Sequence, residues 1–228
     1  MERASESLQA ALVGAIETAH VAAAEAMLDS FAATSSYQAA LTELLEPVLL
    51  RIGAGWESGK PTILAQGYLA AKLTERVLVR ALAESPRRAP EVKALGPVVV
   101  GNIEDDFHSL GRRMLTTFLM AAGFEVLDLG NDVPIATFLQ TAVERHARVI
   151  GVSAMMYTTA GNIRGLREAI DQAGLRDRLQ LAVGGAVFNL RPELVGEVGG
   201  DGSAKSALVA PALFVTLARR SVAAGAAP

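Results

Sequence analysis

The pattern of apolar and polar positions changes near residue 90. Before that point, long segments carry apolar residues at spacings of three and four, which is typical of helices with one buried face. Leu41, Leu44, Leu45 and Val48 form one such stripe, and Pro47 is expected to kink or split its helix. Helices are expected near 6–12, over 17–33, over 36–56 and over 62–84. Four helices with short connections predict a helical bundle for 1–88.

After a proline-rich and basic linker, "SPRRAPEVKALG" (85–96), short apolar runs alternate with segments of helical spacing. Strands are expected at 97–101, 124–130, 148–154, 179–186 and near 199–202. Helices are expected at 109–122, 135–146, 160–173 and 206–223. This alternation predicts an α/β domain over 89–228, with a flavodoxin- or Rossmann-like parallel sheet of five strands and helices on both faces.

The composition excludes several classes of protein. The 228 residues include no cysteine, so disulfides and thiolate metal sites are ruled out within the chain. The formal net charge is −3, which argues against direct binding of nucleic acid. No apolar run reaches the roughly 18 residues of a membrane helix, and the first twenty residues do not resemble a signal peptide. A cytoplasmic location is expected.

The most informative polar segment is "NIEDDFHSLGRRM" (102–114), which follows the first expected strand. Asp106, His108 and Gly111 form the pattern D-x-H-x-x-G. Ser153 ends the third strand and Gly184 the fourth, so these residues converge at the carboxyl edge of the sheet, where such folds bind ligands.

His108 has two interpretations, a solvated loop residue or a metal ligand. A carboxylate two residues away can orient a ligating histidine through its second ring nitrogen. One histidine without cysteine does not make a zinc site. It suits an axial ligand of a metal whose other positions a macrocycle fills.

Residues 97–205 resemble the cobalamin-binding domain shared by methionine synthase, corrinoid methyl carriers and adenosylcobalamin mutases. The D-x-H-x-x-G loop, "GFEVLDLGNDVP" (123–134), "IGVSAMMYTT" (150–159) and "VGGAVF" (183–188) carry the resemblance in order and spacing. It implies that cobalamin binds with His108 on cobalt, that Asp106 hydrogen-bonds His108, and that the hydroxyl of Thr159 completes this relay. Ser153 and Gly184–Gly185 would line the slot for the displaced nucleotide tail; an ordinary strand-end turn is the alternative for the glycines.

The same resemblance implies a wider set of contacts to cobalamin. On the α/β domain these are Asp105, Phe107, Ser109, Leu110, Met155, Thr158, Ala186, Asp201, Gly202 and Ser203. On the helical domain, expected to cap the upper face of cobalt, they are Trp56, Ile63, Gln66 and Gly67.

The helical half decides between the functions that the resemblance allows. "PVLLRIGAGWESG" (47–59) is similar to light-sensing cobalamin-dependent repressors, and Trp56 would cover an adenosyl group. Those repressors carry Glu-His where this chain has Gln66 and Gly67, and no counterpart of their DNA-binding domain is expected. The favoured hypothesis is a light sensor that uses adenosylcobalamin. A bilin near Gly67 is considered as a second chromophore. The sensor would signal through a homo-oligomer or a protein partner.

The alternative hypothesis is a corrinoid methyl carrier that holds methylcobalamin and serves separate methyltransferases. The similarity of 97–186 to carrier domains supports it. In that case the chain alone catalyses no full reaction. A mutase small subunit is disfavoured, because those chains lack the helical cap.

Overall fold

The structure, a computed structural model, describes residues 2–57, 64–84, 90–207 and 209–225. The chain divides into two compact units, Met1–Ser85 and Pro86–Pro228. Within the described residues, no helix combines the length and the apolar character needed to cross a membrane.

The first unit is helical. Its described elements are α1 (Glu2–Glu17), α2 (Val21–Thr34), α3 (Tyr37–Ala39), a π-helical segment (Ala40–Leu45), α4 (Glu46–Glu57) and α5 (Leu64–Glu84). Because α3, the π segment and α4 follow one another without a break, the described part of this unit has four continuous helical segments. The first expected helix was too short, since α1 begins at Glu2.

The π-helical segment explains how the chain accommodates Pro47. A proline has no N–H to donate to the carbonyl four residues earlier, which here is that of Glu43. The side chain of Gln9 on α1 donates to that carbonyl instead, at 2.8 Å. The N–H of Glu46 reaches back five residues to the carbonyl of Leu41. The expected distortion at Pro47 is therefore a change of helical pitch supported by a neighbouring helix.

The second unit has a parallel sheet whose strand order is β2-β1-β3-β4-β5. The strands are β1 (Val98–Asn102), β2 (Val126–Asp128), β3 (Val149–Ser153), β4 (Gln180–Gly184) and β5 (Gly202–Ser203). The helices are α6 (Pro90–Lys93), α7 (Ser109–Ala121), α8 (Ile135–Glu144), α9 (Tyr157–Ala160), α10 (Ile163–Gln172), α11 (Ala186–Leu190), α12 (Leu194–Glu197) and α13 (Ala210–Gly225). The predicted five-stranded parallel α/β sheet is thus confirmed, in the flavodoxin-like order.

Two apolar cores cover the sheet, one on each face. Phe138 of α8 belongs to the core that contains Val99 and Ile150. Phe214 of α13 belongs to the core that contains Val98 and Val149. Burial on both faces explains why the strands read as continuous apolar runs instead of alternating apolar and polar residues.

Candidate functional site

The site is built around Asp106, whose carboxylate is fully buried where β1 ends. One oxygen, Oδ1, accepts hydrogen bonds from the side chain of Asn102 and the backbone N–H of His108, each at 2.9 Å. The other, Oδ2, accepts from the backbone N–H of Met155 at 2.6 Å and from the hydroxyl of Thr159 at 3.1 Å. The carboxylate therefore joins the loop after β1 to the loop after β3.

These hydrogen bonds determine the pKa, and hence the protonation state, of the Asp106 carboxyl group. Burial by itself raises the pKa of the carboxyl group, because it disfavours the charged form. The donors from Met155, His108, Asn102 and Thr159 outweigh that effect, and the pKa lies below its ordinary value of 3.8. Asp106 is thus a carboxylate at neutral pH.

The imidazole of His108 lies beside this carboxylate but faces outward. Its Nδ1 is 3.3 Å from Asp106 Oδ1, and its side chain is 52 % exposed. Since Nδ1 contacts the carboxylate, Nε2 on the far side of the ring is the nitrogen left for a ligand. A buried carboxylate that orients a half-exposed histidine is the arrangement found behind histidines that bind metals.

The two glycines at the end of β4 have different surroundings. Gly185 has a φ of +120°, and a Cβ there would lie 2.0 Å from the carbonyl oxygen of Ala154. This position therefore requires glycine for the backbone itself. At Gly184, a Cβ would meet no heavy atom within 4 Å. Space beside Gly184 is open at the edge where β3 ends with Ser153.

The loops and short helices that follow these strands expose large apolar side chains. Phe107 is 65 % exposed, Met155 43 %, Met156 53 %, Tyr157 55 % and Leu190 66 %. They follow β1, β3 and β4, so half of the ten exposed large apolar residues among the described ones share this edge. Such a concentration marks a surface that binds another apolar group.

The structure brings together most of the expected contacts on the α/β unit. Those at the ends of β3 and β4, or on the loops and first helical turns after β1, β3 and β4, are Asp105, Asp106, Phe107, His108, Ser109, Leu110, Gly111, Ser153, Met155, Thr158, Thr159, Gly184, Gly185 and Ala186. Gly202 and Ser203 form β5, beside Ala182 and Val183 of β4.

Asp201 does not join this group. Its carboxylate accepts the backbone N–H of Leu181 at 2.6 Å and lies 3.4 Å from the guanidinium of the buried Arg167. Leu181 precedes the carboxyl end of β4 by three residues, so Asp201 stands back from the edge. The fold itself uses this carboxylate, and a contact between Asp201 and the ligand stays a prediction.

Of the expected contacts on the helical unit, Trp56 lies in α4 and Gly67 in α5, and Ile63 lies outside the described residues. Gln66 is used within the unit, since its side chain donates to the carbonyl of Glu17 at the end of α1, at 2.9 Å.

Three residues of the site were missed in the sequence. Asn102 is fully buried between Asp106 and the guanidinium of Arg112, whose Nε donates to the Asn102 oxygen at 3.0 Å. Arg112 also pairs with Asp128 at the end of β2. A polar residue closing the apolar run "VVVGN" was the available signal for Asn102. Arg112 and Asp128 are 16 residues apart, and only the strand order brings them together.

The fold and this edge define a class: a parallel α/β unit with an oriented histidine beside an open, apolar strand edge. The family model of the B12 binding domain matches residues 96–212, and the chain belongs to that family. Cobalamin is therefore its cofactor. The geometry fits this group, because the chain offers an exposed imidazole held by a buried carboxylate and open space at Gly184. It also offers an apolar rim, formed by Phe107, Met155, Met156, Tyr157 and Leu190.

Curated relatives are corrinoid proteins. Trimethylamine corrinoid protein 1 of Methanosarcina acetivorans is 46 % identical over 103 residues, which are 45 % of this chain and 48 % of the relative. Dimethylamine corrinoid protein 2 of the same organism is 39 % identical over 136 residues, 60 % of this chain and 62 % of the relative. The match to the first spans about half of that protein's length. Among solved structures, the monomethylamine corrinoid protein of Methanosarcina barkeri aligns with a TM-score of 0.75 at 25 % identity, covering 90 % of this chain and 95 % of that one.

These relatives correct the functional hypothesis. They are named for methylamines and a corrinoid, so the interpretation as a light sensor is wrong. It rested on Trp56 and its neighbours, and Gln66 in that region serves the packing of the helical unit. The suggested bilin finds no support in these relatives either.

Proposed function

We propose that the protein is a corrinoid methyl carrier, which passes a methyl group between separate methyltransferases acting on methylated amines. The observation that carries this proposal is the similarity to the monomethylamine corrinoid protein over 90 % of the chain, a span that includes both units. The partners are then methyltransferase proteins, and methylcobalamin is the form of the cofactor that is carried.

In this proposal, each part of the site has a role of its own. His108 would hold cobalt through Nε2, while Asp106 keeps the ring oriented through Nδ1. Gly184 would leave room for the nucleotide tail, and the apolar rim would cover the ring system. The chemistry that bound cobalamin supplies is reversible methyl transfer at cobalt. The protein's contribution is to bind, orient and shield the cofactor.

Methylation of the loaded protein tests the proposal. The full chain is loaded with hydroxocobalamin, reduced, and treated with iodomethane, and the absorbance spectrum should change to that of methylcobalamin. A methylamine methyltransferase supplied with an amine acceptor should then remove the methyl group from the bound cofactor far faster than from free methylcobalamin. Equal rates for the bound and free cofactor would contradict a carrier function.

Ligation by His108 is tested separately. His108→Ala should shift the visible spectrum of the loaded protein and weaken cobalamin binding. His146→Asn is the matched control: it removes an exposed histidine from a turn of the same unit, at a positive φ that asparagine tolerates. A spectrum unchanged in His108→Ala, or changed equally in both variants, would rule out His108 as the ligand.

A further inference from the structure

We propose that Arg112 is the positioning residue that sets the orientation of the D-x-H loop (residues 106–108) through the side-chain amides of Asn102 and Asn131. The inference rests on the proposed function in one respect, which is that His108 ligates cobalt. It concerns a side chain on α7 that acts on the loop through intervening amides.

The first step is the burial of Arg112. Arg112 is 8 % exposed, and its guanidinium group faces the carboxylate of Asp128. The same carboxylate also accepts hydrogen bonds from the hydroxyl of Thr116 and the N–H of Gly130. Removing a guanidinium from water is costly, and an apolar side chain would fill a buried position on α7 at less cost. We therefore expect a buried arginine here to have a role that needs the planar, rigid set of N–H donors of its guanidinium group.

The second step is the set of acceptors. Nε donates to Asn102 Oδ1 at 3.0 Å, Nη1 pairs with Asp128, and Nη2 lies at a longer 3.4 Å from Asn131 Oδ1. A guanidinium can only donate. Each asparagine that it contacts must consequently present its oxygen to Arg112 and its NH₂ group to the opposite side.

The third step is what those NH₂ groups contact. That of Asn102 donates to Asp106 Oδ1 at 2.9 Å and to the carbonyl of His108 at 3.2 Å. That of Asn131 points to the carbonyl of Phe107 at 3.4 Å. One guanidinium thus orients two amides, and these meet an acceptor on each of the three residues of the loop.

The consequence concerns the direction of the histidine. If Arg112 is lost, the oxygen of the buried Asn102 amide loses its donor. An unpaired acceptor in a buried site is unfavourable, so the amide shifts to find another donor and its contacts with Asp106 and His108 weaken. The backbone of the loop and the ring of His108 lose their fixed orientation, although every residue of the loop is still present.

The test compares two buried arginines. Arg112→Lys keeps a positive charge near Asp128, but one ammonium group does not reproduce the donors at Nε, Nη1 and Nη2. Arg167→Lys is the matched control, since Arg167 is 5 % exposed in the same unit and faces Asp201 and Asp171, away from the D-x-H loop. Melting temperatures of both variants record any general loss of stability.

The readouts are the dissociation constant for hydroxocobalamin and the electron paramagnetic resonance spectrum of the loaded protein with cobalt reduced to Co(II). Nitrogen splitting in that spectrum reports an axial histidine. Arg112→Lys should weaken binding by up to roughly tenfold, the lower end of the range for groups that support a ligand, and should increase the fraction without nitrogen splitting. Arg167→Lys should leave both unchanged, whatever its melting temperature.

The outcomes separate this inference from the proposed function. Wild-type protein without nitrogen splitting, or splitting that survives in His108→Ala, would overturn ligation by His108. Splitting in wild-type protein that is unchanged in Arg112→Lys, or reduced equally in Arg167→Lys, would overturn only the role of Arg112. If Arg112→Lys does not melt cooperatively, Asn131→Asp replaces it. That change, at an exposed position, keeps an acceptor for Arg112 and removes the donor to Phe107, and an unchanged spectrum overturns the proposal.

Discussion

At the scale of single residues, neighbouring glycines in this protein have separable roles. The backbone at Gly185 requires the absence of a side chain, because a Cβ would overlap the carbonyl of Ala154. At Gly184 the absence of a side chain leaves open space at the carboxyl edge of the sheet. The sequence motif "GGA" shows both glycines alike, and only the geometry distinguishes them.

Alanine substitutions should separate the two roles. Gly184→Ala should fold with nearly unchanged stability and bind cobalamin more weakly, since its methyl group occupies space that the nucleotide tail would use. Gly185→Ala should lower the free energy of unfolding by more than about 1–3 kcal/mol, the usual cost of a strained backbone conformation, because the overlap with the Ala154 carbonyl adds to that strain. Urea denaturation of the apoprotein and a cobalamin titration measure the two effects. Normal affinity in Gly184→Ala would exclude the slot at this position.

At the scale of elements, glycines in adjacent strands allow aromatic rings to approach the sheet from both faces. A Cβ at Gly101 of β1 would lie 2.6 Å from the ring of Phe138, and one at Gly151 of β3 would lie 2.7 Å from the ring of Phe214. Because neither strand has a side chain at these two positions, α8 and α13 pack closely on the centre of the sheet. Gly101 directly precedes Asn102, so this packing also sets where the D-x-H loop begins.

Overpacking at Gly101 should therefore affect both stability and the site. Gly101→Ala should lower the free energy of unfolding by about 1–3 kcal/mol and weaken cobalamin binding. Gly151→Ala, on the other face, should cost a similar amount of stability with a smaller effect on binding. Adding Phe138→Leu should restore part of the loss in Gly101→Ala and none in Gly151→Ala. Additive losses in the first pair would show that the ring and the new methyl group do not meet.

At the scale of the whole molecule, Asp106 makes stability depend on pH. Its pKa in the folded protein is lower than in the unfolded chain, so the unfolded state takes up the proton more readily as pH falls. The stabilisation is complete well above the ordinary value of 3.8 and is lost as pH decreases through and below it.

Asp106→Asn should remove this dependence. The variant should be less stable than wild type at pH 7, because an amide cannot accept from all four donors, and the difference should shrink as pH falls below about 4. It should weaken cobalamin binding roughly 10–100-fold, the range for groups that orient a ligand, while keeping His108 on cobalt. Urea denaturation at a series of pH values measures the first effect. A gap between the two proteins that stays constant from pH 7 to pH 3 would contradict it.

The sequence was sufficient for the features that depend on local pattern. Apolar runs located the strands, and the alternation with helices placed Asp106, His108, Ser153 and Gly184 at one edge. Features set by contacts between distant segments were not accessible. The link from Arg112 to Asp128 needs the order of β1 and β2, and one of two adjacent arginines on an amphipathic helix looks like a solvated residue.

The functional error had a related origin. A single tryptophan in a helical segment was given a role over the cofactor, although one side chain seldom distinguishes a ligand contact from helix packing. The similarity that runs through both units to the monomethylamine corrinoid protein outweighs that signal, because it rests on many positions at once.

The apolar rim formed by Phe107, Met155, Met156, Tyr157 and Leu190 has a consequence for the protein before it receives its cofactor. A newly made chain presents these side chains to water, and such surfaces adhere to one another and to chaperones. Bound cobalamin would then cover an apolar surface in addition to carrying the methyl group. The supply of corrinoid in the cell would determine how much of the protein stays in solution and how much aggregates or is degraded.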